Sequence, residues 1–141
     1  MRLVSLLLLS GLAVWPGCGR DVDADLQAHV RVVANVEGTE AFAAASYLTR
    51  FGRRALPTIE GAMHSASPSG RKNLIMALRK IGDPEAVPLL RHLAIYDAGP
   101  DVRREARWTL KEWAMGSDAR AEKARAALRA LDEVTGGQEA G

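Results

Sequence analysis

Residues 81–113 read IGDPEAVPLLRHLAIYDAGPDVRREARWTLKEW, and this stretch decides the fold class of the chain. Asp83 is followed by Pro84, a pair that is typical of a helix start, because an aspartate side chain accepts backbone N–H bonds and proline is tolerated in the first helical turn. Asp101 offers the same kind of cap to a second helix. We therefore predict two helices here, near 84–96 and 101–114, joined by a turn.

The apolar residues of the second helix fall on one face, at spacings of three and four residues. Thr109 is the one polar residue on that face. In the first helix Pro88 lies one turn inside, so we expect the helix to bend there or to begin as a tighter coil. The apolar face of the second helix consists of Val102, Ala106, Leu110 and Trp113.

Parts of this unit recur upstream at a spacing near thirty residues. Pro68 precedes Pro100 by 32 residues, and Leu56-Pro57 precedes Val87-Pro88 by 31. Repetition at this period predicts an α-solenoid, in which each helix pair is too short to bury its apolar face alone and stacks on its neighbours. A compact helical bundle is the alternative, but it would not require a repeated motif. The predicted core between the two best-matched units is Leu78, Ile81, Leu90, Leu110 and Trp113.

The same reasoning along the chain predicts an all-α fold, a short solenoid of antiparallel helix pairs. Thr39 is a possible cap of the second helix. We assign residues 26–134 to the solenoid domain and 135–141 to a flexible C-terminal tail. The seven predicted helices lie near 23–36, 39–51, 54–66, 69–81, 84–96, 101–114 and 118–133.

The motif Gly82-Asp83-Pro84-Glu85-Ala86-Val87-Pro88-Leu89-Leu90, followed by Asp101-Val102-Arg103-Arg104-Glu105-Ala106, resembles the HEAT-repeat family in its short bacterial form. The resemblance implies that the second helix of each pair lines the concave side of the stack. The earlier unit departs from the family, because Ser69-Gly70-Arg71-Lys72 stands where Asp-x-x-Val-Arg is usual. This departure weakens the expectation of a ladder of Asp–Arg pairs through that layer.

The N-terminus has the pattern of a secretory leader. Arg2 precedes a twelve-residue apolar run over 3–14, which is too short to span a membrane and suits a signal peptide. The only cysteine, Cys18, follows Gly17, and this arrangement resembles the lipobox of bacterial lipoproteins. The resemblance implies a signal peptide over 1–17, a lipid on Cys18 and a short tether to residue 25. It also implies a membrane-anchored protein of the bacterial envelope that faces the periplasm. The alternative is ordinary secretion, with cleavage near Gly19.

Composition gives few indications of a ligand. The formal charge of +2 is close to neutral, so bulk charge implies no nucleic-acid partner. Basic residues nevertheless concentrate on the predicted helices 69–81 and 101–114. They either form a groove for an acidic protein segment, a phospholipid headgroup or an anionic polymer, or they are solvated helix faces. The candidate partner-binding residues are Arg71, Lys72, Arg103, Arg104, Arg107 and Trp108.

No catalytic motif and no cofactor motif is evident. His29, His64 and His92 lie on three different predicted helices and lack the spacing of metal ligands. We therefore expect a monomeric, non-enzymatic scaffold that holds a partner protein at an envelope membrane. A lipid- or polyanion-binding module is the first alternative. The second is an enzyme related to the bilin lyases, which contain similar short repeats but act in the cytoplasm.

Overall fold

The computed structural model describes residues 21–136, which form seven α-helices and two short 3₁₀ helices. No strand occurs within this range, and the all-α prediction is confirmed. The α-helices are α1 (Val22–Asn35), α2 (Thr39–Leu48), α3 (Leu56–Met63), α4 (Pro68–Ile81), α5 (Val87–Tyr96), α6 (Pro100–Ala114) and α7 (Ala119–Gly136), and the 3₁₀ helices are Thr49–Ala55 and Pro84–Ala86.

The helices form two layers. In the first layer α1 packs against α3 and α5 packs against α7, and in the second layer α4 lies between α2 and α6. Successive helices pair across the layers, α1 with α2, α3 with α4 and α5 with α6. This is the predicted stack of helix pairs, with α7 covering the end of the last pair.

The core runs between the two layers. Leu78, Leu90, Leu110 and Trp113 are buried as predicted, whereas Ile81 is only partly buried at the end of α4. Thr109 is buried among these apolar residues, and its hydroxyl donates to the carbonyl of Glu105 at 3.0 Å. This bond satisfies the hydroxyl, so a polar residue is tolerated on the apolar face.

The capping residues of two helices and the start of the helical domain differ from the predictions. The first helix begins at Val22 because the Asp21 carboxylate accepts from the backbone N–H groups of Asp23 and Ala24, so the helical domain begins ahead of residue 26. Thr39 is not a cap, and Gly38 occupies the capping position. Asp101 is not a cap either, since α6 already begins at Pro100. Asp83 does cap its helix, by accepting from the N–H of Glu85.

Two predicted helices are shorter than expected. Gly52 has φ 52° and ψ −135°, a positive-φ, non-helical conformation that glycine adopts readily and that separates α2 from α3. The chain therefore crosses from 49 to 55 as a kinked 3₁₀ segment, where the end of one α-helix and the start of the next were predicted.

The tighter coil expected ahead of Pro88 is confirmed by the 3₁₀ helix Pro84–Ala86.

The two layers approach closely at Gly70. A methyl group at this position of α4 would collide with the backbone carbonyl of Ala34 in α1. The absence of a side chain at Gly70 thus allows α1 and α4 to pack directly. The leader, Cys18 and residues 137–141 lie outside the described part of the chain.

Candidate interaction surface

Adjacent residues at the end of α4 contact aromatic rings on both neighbouring helices. The Lys80 ammonium lies 3.6 Å from the ring centroid of Phe42 on α2, and the Arg79 guanidinium lies 4.6 Å from that of Trp108 on α6. Both are cation–π arrangements, which hold a charged group over the face of a ring. They join the three helices of the second layer on their outer side. We call this surface the second-helix face, defined by Phe42, Arg79, Lys80, Arg104 and Trp108.

The two rings remain largely open to solvent. Phe42 is 54% exposed and Trp108 is 49% exposed, because neither lies on the apolar stripe of its helix. Large exposed aromatic side chains beside basic groups are the residue types that dominate binding hot spots. Burial of these rings by a partner would remove apolar area that folding leaves in water.

Carboxylates position the cations around Trp108. The Arg79 guanidinium forms an ion pair with Glu105 at 3.0 Å and a longer one with Glu112 at 3.7 Å. Arg104 pairs with Asp101 of its own helix at 2.6 Å, in a contact that is exposed on both sides. A shallow depression of about 420 Å³ lies among these groups, lined by Arg79, Arg104, Glu105 and Trp108.

The charge of the two layers differs. Helix α4 carries four basic residues and no acidic one, α6 carries four basic and three acidic, and α2 carries a single glutamate, so the formal charge of the second layer is +4. The helices of the first layer sum to zero, because the net charges of α1, α3, α5 and α7 are −1, −1, +1 and +1. The basic character expected from the sequence is therefore confined to one layer.

The structure does not align all the candidate residues into one basic stripe. Arg71 is turned toward Asp97, which it contacts through Nε to Oδ2 at 2.7 Å and Nη2 to Oδ1 at 2.9 Å. Arg103 donates to the backbone carbonyls of Asp97 and Ala98. Both arginines are thus occupied within the fold, and they are not available to a basic groove of the kind that the sequence offered as one alternative.

The remaining candidates are more accessible. Arg104 and Trp108 are exposed on the second-helix face, and Lys72 and Arg107 are partly exposed. Among the sequence candidates, Arg104 and Trp108 alone line the depression on this face. Arg104 and Trp108 are therefore the sequence candidates that a partner on this face would contact.

Arg71 and Asp97 form an ion pair that links two repeats. This link was unexpected, because the segment 69–72 departs from the Asp-x-x-Val-Arg motif of the family. Burial alone would raise the pKa of Asp97. The hydrogen bonds from Arg71 and from the backbone N–H of Gly99, together with the charges of Arg71 and Arg103, outweigh burial and lower this pKa. Asp97 is therefore held in its charged form, and it stabilises the turn between α5 and α6.

The sequence reasoning missed Phe42 and the role of Arg79 and Lys80. Phe42 stands off the stripe formed by Ala41, Ala44, Ala45 and Leu48, just as Trp108 stands off the apolar stripe of α6. The pairing of each ring with a cation depends on how the helices stack, and a single helix cannot show it.

The histidines have separate environments. His29 stacks on Tyr47 with ring centroids 4.0 Å apart, whereas His64 and His92 flank a groove between α3 and α5. Over residues 21–136 no group of three His, Cys, Asp or Glu side chains is arranged to hold a metal ion. None of the helices in this range is long and apolar enough to cross a membrane.

The sequence pattern described as HEAT repeats matches residues 39–111, which is more than half of the chain. The chain belongs to the HEAT-repeat family. The matched region begins with α2 and ends within α6, so the repeat core includes the whole second-helix face. No curated protein and no solved structure matches the sequence. HEAT repeats build helical scaffolds that are often used for protein interactions, and the exposed second-helix face of this HEAT-repeat protein has a composition that suits such a use.

Proposed function

We propose that this HEAT-repeat protein is a non-enzymatic scaffold that binds an acidic segment of a partner protein on the second-helix face. The observation that carries the proposal is the contact between Arg79 and the half-exposed ring of Trp108. A partner segment that covers Trp108 would gain apolar burial from the ring. It would also meet Arg79 and Arg104 at the edge of the contact.

The arrangement favours binding in two physical ways. The ring of Trp108 and the carboxylate of Glu105 already restrict Arg79, so less side-chain freedom remains to be lost when a partner binds. The formal charge of +4 on the second layer attracts an acidic partner and speeds its association. An acidic segment with one or two apolar side chains is the ligand that matches both features.

We also propose that the scaffold is attached to an envelope membrane through a lipid on Cys18. The support is the position of this single cysteine directly after the apolar run and Gly17. Because α1 begins at Val22, only Gly19, Arg20 and Asp21 would separate the lipidated residue from the helical domain. Such a short link would keep the helical repeats close to the bilayer surface.

Cys18→Ala tests the attachment. We expect the variant to leave the membrane fraction or to remain unprocessed, whereas Ser10→Ala in the leader should partition as the unaltered protein does. A processed Cys18→Ala protein that still enters the detergent phase would contradict the lipid anchor.

Binding to anionic phospholipid is a second candidate function, favoured by the absence of acidic residues from α4. The two functions separate in a vesicle experiment with unlipidated protein. Retention on anionic vesicles that salt abolishes would support lipid binding. Capture of an acidic peptide without such retention would support the protein scaffold.

A further inference from the structure

A groove interrupts the first layer of helices. Helices α1 and α3 pack together, as do α5 and α7, but α3 and α5 are separated by an open cleft of about 580 Å³. Helix α3 ends at Met63, and the chain then turns into α4 at Pro68. The cleft lies in the layer opposite to the second-helix face.

The floor of this cleft is apolar. It is formed by Met63 from α3 and by Leu89 and Leu93 from α5. One end is bounded by the pair of Arg71 and Asp97, whose charges already satisfy one another. A ligand in the cleft would therefore contact a hydrophobic surface with a neutral end.

The walls are polar and aromatic. Glu60 is exposed on the α3 side and forms no ion pair within residues 21–136. On the α5 side Tyr96 is 68% exposed, and its ring lies 5.1 Å from that of His92. With histidines neutral, the charged residues that line the cleft are Glu60, Asp97 and Arg71, and their formal charges sum to −1.

These walls suit a cation. The carboxylate of Glu60 can form an ion pair with a lysine or arginine, and the exposed ring of Tyr96 in the same cleft can form a cation–π contact with one. Arg91 does not counter this, because it faces away from the groove into a separate depression with Lys123. The local charge is opposite in sign to that of the second layer.

We propose that this cleft, the α3–α5 groove, binds a short basic amphipathic segment of a partner protein. The apolar side chains of the segment would cover Met63, Leu89 and Leu93, and its lysine or arginine side chains would pair with Glu60 and contact the ring of Tyr96. The groove has the volume of a ligand site and is open to solvent along one side, which suits a chain segment. The protein would then present two sites of opposite charge, one on each layer. This inference does not depend on the second-helix face.

Two synthetic peptides of about fifteen residues test the inference. Both carry leucine at spacings of three and four residues, and the other positions are lysine in one peptide and glutamate in the other. Fluorescence anisotropy with the purified protein should show that the labelled lysine peptide binds and that an unlabelled copy displaces it. Glu60→Lys and Tyr96→Ala should each weaken this binding by roughly tenfold.

Arg104→Glu is the matched control, because it alters the other layer. It should leave the lysine peptide unaffected and weaken only the glutamate peptide, so the groove and the second-helix face are tested separately. Circular dichroism and thermal unfolding of each variant establish that the fold is intact. Shifts of the His64 and His92 ring resonances on titration would locate the lysine peptide independently of any substitution.

Three results would overturn the proposal. The first is no binding of the lysine peptide up to about 1 mM, the limit of a weak specific contact. The second is binding that Glu60→Lys and Tyr96→Ala leave unchanged. The third is self-association of the protein that Tyr96→Ala abolishes, which would assign the groove to a second copy of the chain.

Discussion

Arg71 on α4 and Asp97 at the end of α5 form a two-point ion pair that links two successive repeats, with N–O distances of 2.7 and 2.9 Å. The side chains are 17% and 5% exposed, so the pair is largely shielded from solvent. A further bond from Arg71 to the carbonyl of Ala66 ties the turn that precedes α4 into the same link. The stack is thus joined by a specific polar contact as well as by apolar packing.

Replacement of Asp97 by Asn should destabilise the protein. The amide keeps the shape of the side chain but leaves the Arg71 guanidinium without its counter-charge, and we expect a loss of about 1.5–3 kcal/mol in the free energy of unfolding. Urea unfolding followed by circular dichroism measures the loss. Asp101→Asn is the control, because its pair with Arg104 is exposed and should contribute less than about 1 kcal/mol. Equal effects of the two substitutions would show that the inter-repeat link adds nothing specific.

Acid should weaken the fold. The pKa of Asp97 is lowered in the folded protein, so the unfolded chain binds more protons as the pH falls. The stabilisation is fully present above the ordinary aspartate pKa of about 3.9, and it is lost as the pH falls through the lower folded-state value. We therefore expect the difference in stability between the unaltered protein and Asp97→Asn to narrow between about pH 5 and pH 2. Urea unfolding of both proteins at several pH values measures this difference in stability. A difference that stays constant over the range would contradict the lowered pKa of Asp97.

Asp83 should add to the acid sensitivity in the same direction. Burial alone would raise the pKa of Asp83, but the N–H of Glu85 and the ion pair with Arg53 lower it. Its contribution is smaller than that of Asp97, because Arg53 is mostly exposed.

Gly70→Ala should destabilise the contact between the layers. The added methyl group would meet the backbone carbonyl of Ala34, which can move only if α1 shifts, so we expect a loss of about 1–3 kcal/mol. Gly61→Ala on α3 is the matched control, since nothing lies within 4 Å of the added methyl group. It should raise stability by about 0.5–1 kcal/mol through its higher helix propensity. Thermal unfolding separates the two, and similar midpoints would show that α1 and α4 are not in close contact.

Leu110→Ala should destabilise the core of the last complete pair. Leu110 is fully buried, and its truncation should lower the free energy of unfolding by about 2–5 kcal/mol. Lys111→Ala changes the adjacent, exposed position of the same helix and should have an effect within about 0.5 kcal/mol. Chemical unfolding of the two variants measures this difference, and equal midpoints would mean that the register of α6 is wrong.

The fold could be predicted from the sequence because its signals are local and repeated. The recurring Leu-Pro and Val-Pro pairs and the capping residue Asp83 predict helix starts, and the spacing of the apolar residues predicts which face is buried. The break between the second and third helices at Gly52 was also predicted, whereas the 3₁₀ winding of residues 49–55 around it could not be, because a glycine between two helices can as well be a simple C-terminal cap.

The interaction surface was only partly predictable. Trp108 and Arg104 could be named as candidates, since both lie off the apolar stripe of their helix. The ion pair between Arg71 and Asp97 could not be predicted, because the two residues are 26 positions apart and meet only when the repeats stack. For the same reason the contact of Lys80 with Phe42 requires the three-dimensional arrangement of α2 and α4.

The most direct test of the scaffold proposal is affinity capture from envelope membranes with a variant that carries both Arg104→Glu and Arg107→Glu. Its matched control carries Arg91→Glu and Arg129→Glu, the same change of charge on exposed residues of the first layer. At low salt we expect the unaltered protein and the control to capture the same acidic partner, and the second-layer variant to capture at least about tenfold less of it. Equal capture by both variants, with circular dichroism spectra unchanged, would contradict the account.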